Sequence, residues 1–379
     1  MYRNMKIQKW QLLRWKSREE IADLRDRDFV AVGKKAFRGQ WRLEEVYLPS
    51  NTSAIKTGAF RGCRRLGGVE FSHETNTGLA NKAFENCVRL SRAEPSELLS
   101  VIGARAFANC RSLKQITFGR EMRRIGEEAF RGCNALTEIK LPASLTEIGT
   151  AAFADCTELA TVETEDGLPR LAPDLFRGCF SLRSVTFAST LSEIPAGAFR
   201  GCSALTELTI PAQIGRVGKN AFLGCARLER VYLEHGVSRI GKTAFADTPR
   251  LREITVPSSL KTLGFGAFGL GKCEEKAVMY VENEYMLRRM KRLLFLCGSW
   301  GRVRVELIGK SIEERKRERH RATLEQTPVH IMDTEEPHFG PDASDEMQAE
   351  PAQSECAAPS SVPQPDTPSE TEPCTSNEE

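Results

Sequence analysis

The sequence predicts an α/β repeat solenoid, in which about eleven coils of 23 residues stack with their strands in a parallel sheet on one face. A cap is expected at each end, followed by a disordered tail. Three observations predict this. Phenylalanine recurs at Phe37, Phe60, Phe84, Phe107, Phe130, Phe153, Phe176, Phe199, Phe222, Phe245 and Phe268, always 23 residues apart except for one step of 24. Ten of these eleven follow an alanine, Leu175 being the exception. The residue two places after Phe is Gly, Asn or Asp in all ten copies from Phe37 to Phe245.

Other columns keep the same step. Cysteine stands three residues after Phe at Cys63, Cys87, Cys110, Cys133, Cys156, Cys179, Cys202 and Cys225, and leucine six after, from Leu43 to Leu251. Nine and eleven after come apolar residues such as Ile139 and Leu141, often closed by a proline such as Pro142. Alternation over 136–141 is the period of a strand with one buried face, and proline stops it because it cannot donate to a ladder. The stretch 148–153 fits one or two helical turns. Gly, Asn or Asp two places past Phe enters the left-handed region cheaply, as a helix end requires. A lone coil buries too little to order itself, so neighbours must share their faces.

The pattern Ile-Gly-x-x-Ala-Phe-x-x-Cys-x-x-Leu-x-x-Ile-x-Leu-Pro-x-x-Leu closely resembles the BspA-type leucine-rich repeat family over about two thirds of the chain. The resemblance implies a parallel sheet on one face, short helical turns on the other, and binding of proteins, commonly at cell surfaces as adhesins. The sequence shows no export signal and no wall-anchoring motif. Residues 1–20 lack the unbroken apolar stretch of a signal peptide, and no segment approaches the ~20 apolar residues of a membrane span. The expectation is a cytoplasmic location, with an exported adhesin or effector as the alternative.

Four regions follow. Residues 1–28 form an N-terminal cap, with an amphipathic helix over 7–24 carrying Trp10, Leu13, Ile21 and Leu24. Residues 29–270 form the solenoid. Residues 271–324 form a C-terminal cap, with strands at 277–281 and 303–307 around a helix at 285–297, then a solvated basic helix over 311–321. From Glu325 onward there are 14 Asp or Glu, no Lys or Arg, and nine of the 18 prolines, so 325–379 is read as a disordered acidic tail. With a net charge of +3, the first 324 residues then carry +17. One weakness is visible inside the solenoid: Ala93 and Pro95 occupy the two strand-core positions after Phe84, which predicts a local break or bulge in the ladder.

The eight in-register cysteines read as reduced, buried, small apolar groups. Cross-turn disulfides or a metal are the alternatives, and no CxxC pair supports a metal. Cys273, Cys297, Cys356 and Cys374 are off-register, the last two expected as exposed thiols. The five histidines, His73, His235, His320, His330 and His338, have no nucleophile or carboxylate at a meaningful spacing. With no phosphate-binding glycine loop either, no catalysis, cofactor or metal is expected.

Two surfaces are candidates for binding. The first is the outward side of the strands, eight and ten residues after Phe: Glu45, Tyr47, Gln115, Thr117, Glu138, Lys140, Ser184, Thr186, Glu207, Thr209, Arg230, Tyr232, Glu253 and Thr255. It suits a protein partner and equally suits plain solvent exposure. The second is an arginine stripe just after Phe, at Arg38, Arg61, Arg131, Arg177 and Arg200, which reads as a solvated face or as an anion site. Aromatic residues are not interleaved with these arginines, which counts against nucleic acid. The expected protein is a monomeric, non-catalytic binding scaffold.

Overall fold

A computed structural model describes residues 20–26, 31–70, 78–94, 96–269, 276–296, 298–299 and 301–308. The remaining residues, which include most of the expected N-terminal helix, the helix over 311–321, the acidic tail and the four off-register cysteines, lie outside the described residues.

The chain winds into a solenoid whose coils each have three sides. One side carries the longer strands, such as Glu138–Leu141, Thr161–Thr164 and Glu207–Ile210. A second side carries two-residue strands, such as Arg124–Ile125 and Glu147–Ile148. The third carries tight turns around the phenylalanine column. All pairing is parallel, and most partners are 23 residues apart, as in Glu138↔Thr161 and Arg216↔Arg239.

The helical turns expected on the third side are absent among the described residues. The residue two places before Phe is left-handed in every coil, from Lys35 through Glu128 and Ala151 to Gly266, with φ of 50–65°. The residue two places after Phe is also left-handed, from Gly39 to Asp247, with φ of 53–77°. Two left-handed residues four apart cannot belong to one helix. They make consecutive turns that aim main-chain N–H groups along the solenoid. Lys35 N donates to Thr57 O, Phe37 N to Ala59 O and Gly39 N to Arg61 O, at 3.1, 2.7 and 2.9 Å. The stretch 148–153 leads into these turns through a short strand. At Gly149 a side chain is excluded, since a Cβ would lie 2.3 Å from Glu127 N of the preceding coil.

Inside, the eleven phenylalanines form one column of ten stacked pairs with centroids 4.9–5.8 Å apart, and all but Phe37 are fully buried. Each such pair contributes about 0.5–1.5 kcal/mol beyond its buried area. The widest step, 5.8 Å, lies between Phe153 and Phe176. There Leu175 replaces the usual alanine, and the bond from Phe153 N to Leu175 O lengthens to 3.1 Å against 2.8 Å from Phe130 N to Ala152 O.

The cysteine column is buried and free of disulfides. Each thiol donates to the carbonyl of the phenylalanine in the preceding coil, from Cys63 Sγ to Phe37 O at 2.9 Å to Cys225 Sγ to Phe199 O at 3.4 Å. Cysteine therefore fills the column and satisfies an acceptor with one group. Burial pushes the thiols of Cys63, Cys156 and Cys225 up to about 12, and the other five well above their ordinary value near 9.

The long strands form three ladders of four, three and five strands. The expected break near Ala93 and Pro95 falls one step later than the sequence suggests. Arg92–Glu94 still pairs with Gly68–Glu70, but residues 115–118 form no strand and pair with neither neighbour. A second interruption separates Ser184–Thr186 from Glu207–Ile210. Each interruption adjoins an aromatic ring. Phe118 and Phe187 stand where other described coils carry Leu, Val, Ile or Thr, and each rests edge-on against the next coil's ring, at 5.9 Å from Phe130 and 5.9 Å from Phe199. At Phe187 the ring stands as a wedge beside the interruption, and Val185 there is only partly buried. Phe71 holds the same repeat position next to Gly68–Glu70, which pairs on both sides. In the short row, the ladder is interrupted between Glu147–Ile148 and Glu193–Ile194. Pro195 there replaces the residue whose N–H would bond back to the preceding coil, as Gly218 N does to Ile194 O.

At the N-terminal end, Ile21–Asp23 is a strand paired with Glu45–Tyr47, where the sequence suggested the end of a helix. Only Ala22 of the three is buried, so strand alternation wins there once a neighbouring edge is available. At the other end, Ala277–Val281 and Val303–Leu307 extend the five-stranded ladder, and the helix Glu284–Leu296 buries Met286, Met290 and Leu294.

The thiols give a signed prediction. A proton held more tightly in the native state stabilises it below the unfolded thiol value near 9, and that stability is lost as pH rises toward 12. Each thiol contributes a slope of up to about −1.4 kcal/mol per pH unit in that window. Urea unfolding is expected to show stability flat up to about pH 8.5 and falling steeply above it. At pH 8, iodoacetamide is expected to leave all eight column thiols unmodified until urea unfolds the chain. A second prediction concerns the wedge. Phe187→Leu is expected to close the ladder, slowing amide hydrogen exchange across 207–209 at least tenfold with no loss of stability. Unchanged exchange would clear Phe187 of the cause.

Candidate recognition surface

The outward side chains of the long strands form a single polar face. Gln115, Thr117, Glu138, Lys140, Ser184, Thr186, Glu207, Thr209 and Arg230 are exposed, and Glu45, Tyr47 and Glu253 are half-buried. Tyr232 and Thr255 differ from the sequence expectation, at 7% and 8% exposed. Tyr232, Thr255 and Tyr280 lie in register on three adjacent strands. Side chains one strand apart on a sheet face touch, so the two tyrosines flank Thr255 and the unbroken ladder closes over it.

Charges on this face are largely arranged in pairs across coils. Arg230 binds Glu207 at 3.0 Å, which raises the Arg230 pKa. Lys140 binds Glu165 at 3.0 Å, raising the lysine and lowering the carboxyl. Near the N-terminal end, Arg25 lies 4.8 Å from the Tyr47 ring centroid and bonds Asp23, whose carboxyl it holds down to about 2. Tyr47 Oη in turn donates to Glu45 at 2.5 Å.

The unpaired segment 115–118 lies between two clefts. One, of about 640 Å³, is lined by Arg92, Ala93 and Glu97 on one wall and by residues 114–120 on the other. The second, of about 520 Å³, is lined by the same segment and by Glu138, Lys140, Glu163 and Glu165. Lys114 and Arg120 sit beside the repeat columns, whereas Arg92 stands eight after Phe84 in the outward strand column itself, in register with Gly68 and Glu45, and was legible by the same spacing.

The arginine stripe is not a free cationic surface. Glu85, only 1% exposed, is held by Arg61 at 2.5 Å and Arg105 at 2.8 Å. Arg105 continues to Glu128, Glu128 to Arg131, Arg131 to Asp155, and Asp155 to Arg177, at 3.4, 2.8, 3.2 and 3.2 Å. Three of the five stripe residues, Arg61, Arg131 and Arg177, are thus neutralised within an ion-pair chain, while Arg38 and Arg200 are exposed without an ion pair among the described residues. Asp155, the first cause, raises the Arg131 pKa. The acidic partners could have been seen in the sequence, since Glu85 stands where five other coils have arginine.

Among the described residues, no group of His, Cys, Asp and Glu could hold a metal ion, and no helix is long and apolar enough to cross a membrane.

A stack of near-identical coils with a polar strand face and a closed core defines a repeat-solenoid protein of the leucine-rich type. The family model for the BspA type leucine rich repeat region matches residues 30–160 and 146–273, in six copies. The chain belongs to that family. No curated protein matches the chain. Among solved structures, a leucine-rich repeat protein from Bacteroides ovatus is 21% identical, with 76% of this chain and 92% of that one covered and a TM-score of 0.44. The T. pallidum leucine-rich repeat protein is 32% identical over 49% of this chain and 78% of its own, with a TM-score of 0.37. The pneumococcal vaccine antigen PcpA is 17% identical over 74% and 85%, with a TM-score of 0.41.

Glu85 generates a prediction. Glu85→Gln removes the buried charge that two arginines share, and is expected to cost about 2–3 kcal/mol in urea unfolding. That cost should persist in 1 M NaCl, because buried pairs are screened little. A loss that vanished in salt would place the carboxylate at the surface.

Proposed function

We propose that this chain is a non-catalytic, monomeric protein-recognition module that binds its partner through the strand face. The observation that carries this reading is the contrast between the two surfaces. Much of the turn side is closed by its own ion-pair chain, whereas the strand side presents nine exposed polar residues on a rigid frame. Rigid presentation lowers the ordering cost of binding, and solenoids characteristically bind through extended surfaces of this kind. The internal neutralisation of Arg61, Arg131 and Arg177 counts against the anion-binding alternative.

The test uses the full chain as bait in three forms: unaltered, with Lys140→Glu, Thr186→Arg and Thr209→Arg on the strand face, and with Arg38→Glu and Arg200→Glu on the turn side. Exposed substitutions of this kind shift stability by only about 0.5 kcal/mol, so thermal melts should match. Partners captured by the unaltered chain at physiological salt are expected to weaken at least tenfold with the strand-face variant and to persist with the turn-side variant. The opposite pattern would assign recognition to the charged turn side.

A further inference from the structure

We propose that the opening at 115–118 captures an extended acidic peptide segment of a protein partner, which bonds to the main chain there. This rests on the strand-face reading above and names the chemistry of what the face receives.

The opening is a defect in an otherwise continuous hydrogen-bonded stack. Among the described residues, no main-chain hydrogen bond joins the N–H or C=O groups of 115–118 to the strands Arg92–Glu94 or Glu138–Leu141. These groups face open clefts, which lets an extended chain bond to them by strand addition. The opening is held in place rather than frayed. Ser112 N bonds Val88 O at 3.1 Å on one side of it, and at Gly119 a Cβ would lie 2.0 Å from Glu97 O on the other. Behind it, Phe84 and Phe107 stack at 5.3 Å with the ordinary coil spacing. The first cleft, about 640 Å³, falls within the ~300–1,000 Å³ typical of ligand sites.

Charge selects the occupant. Arg92, Lys114 and Arg120 line this cleft, are exposed, and make no ion pair among the described residues; the described lining holds one carboxylate, Glu97. Elsewhere on the face, Lys140 and Arg230 are already occupied by Glu165 and Glu207. The second ladder interruption, between Ser184–Thr186 and Glu207–Ile210, exposes a similar edge but is bordered by Ser184, Thr186, Thr209, the already paired Glu207 and a single exposed cation, Arg183, against three cations at the first. Among the described residues, an acidic strand thus finds open main-chain groups and three uncommitted cations together at 115–118.

The experiment uses the full chain and three labelled seven-residue peptides: alternating Val and Glu, alternating Val and Lys, and alternating Pro and Glu. The Val-Glu peptide is expected to bind saturably and to slow amide exchange at 115–118. The Pro-Glu peptide, which keeps the charge but removes half the peptide's N–H donors, is expected to bind at least tenfold more weakly, and the Val-Lys peptide not at all. The double variant Arg92→Glu, Lys114→Glu is expected to lose at least tenfold in affinity for Val-Glu. Equal binding of Val-Glu and Pro-Glu would overturn the proposal, reducing the effect to general charge attraction. Protection at another strand-face site would also overturn it while leaving strand-face recognition intact. A protein partner that protects only turn-side amides would remove both.

Discussion

Everything in this molecule depends on the distance between one coil and the next. That distance is set on the turn side, where main-chain N–H groups of each coil donate to the carbonyls of the following one and the phenylalanine rings stack behind them. Phe37 N to Ala59 O at 2.7 Å and the ring pair Phe37–Phe60 at 4.9 Å act together over the same step. The column tolerates little variation: Leu175 in place of alanine opens the adjoining step to 5.8 Å. The cysteines belong to the same constraint. Each fills the space beneath its turn and gives its thiol proton to the phenylalanine carbonyl of the previous coil.

The strand side follows the turn side rather than directing it. Its ladders run past Leu141 and Ile210, eleven places after Phe, and are interrupted beside Phe118 and Phe187, whose rings stand edge-on to the next coil's. A solenoid stabilised by nearest-neighbour contacts can carry such local failures, because each costs only its own interface. Main-chain groups are left unpaired there, on the face that carries the exposed polar residues. The interruption at 115–118 leaves such groups open on both of its sides.

Electrostatics separates the two sides. On the turn side, charges of opposite sign fall on adjacent coils at a spacing that pairs them, so aligned arginines become an internal chain centred on the buried Glu85. Reading the arginines as one column overstates the free charge, since the acidic partners sit at neighbouring repeat positions. On the strand face pairing is partial, and Arg92, Lys114 and Arg120 remain uncommitted around one cleft.

The sequence by itself determined the coil length, the columns that fill the core, the parallel pairing and the left-handed residues after Phe, because each is a local requirement repeated many times. Gly39, Asn86 and Asp155 share a conformation that their own chemistry favours. The left-handed residues before Phe were not legible. Lys35, Arg105, Glu128 and Thr243 have no local preference for that region, and they enter it because the turn must aim its N–H groups at the next coil. Likewise Phe118 and Phe187 look like ordinary core residues in a list of apolar positions. Only the assembled stack decides that their rings stand edge-on beside an interrupted ladder, that Tyr232 and Thr255 are covered, and which arginines stay free.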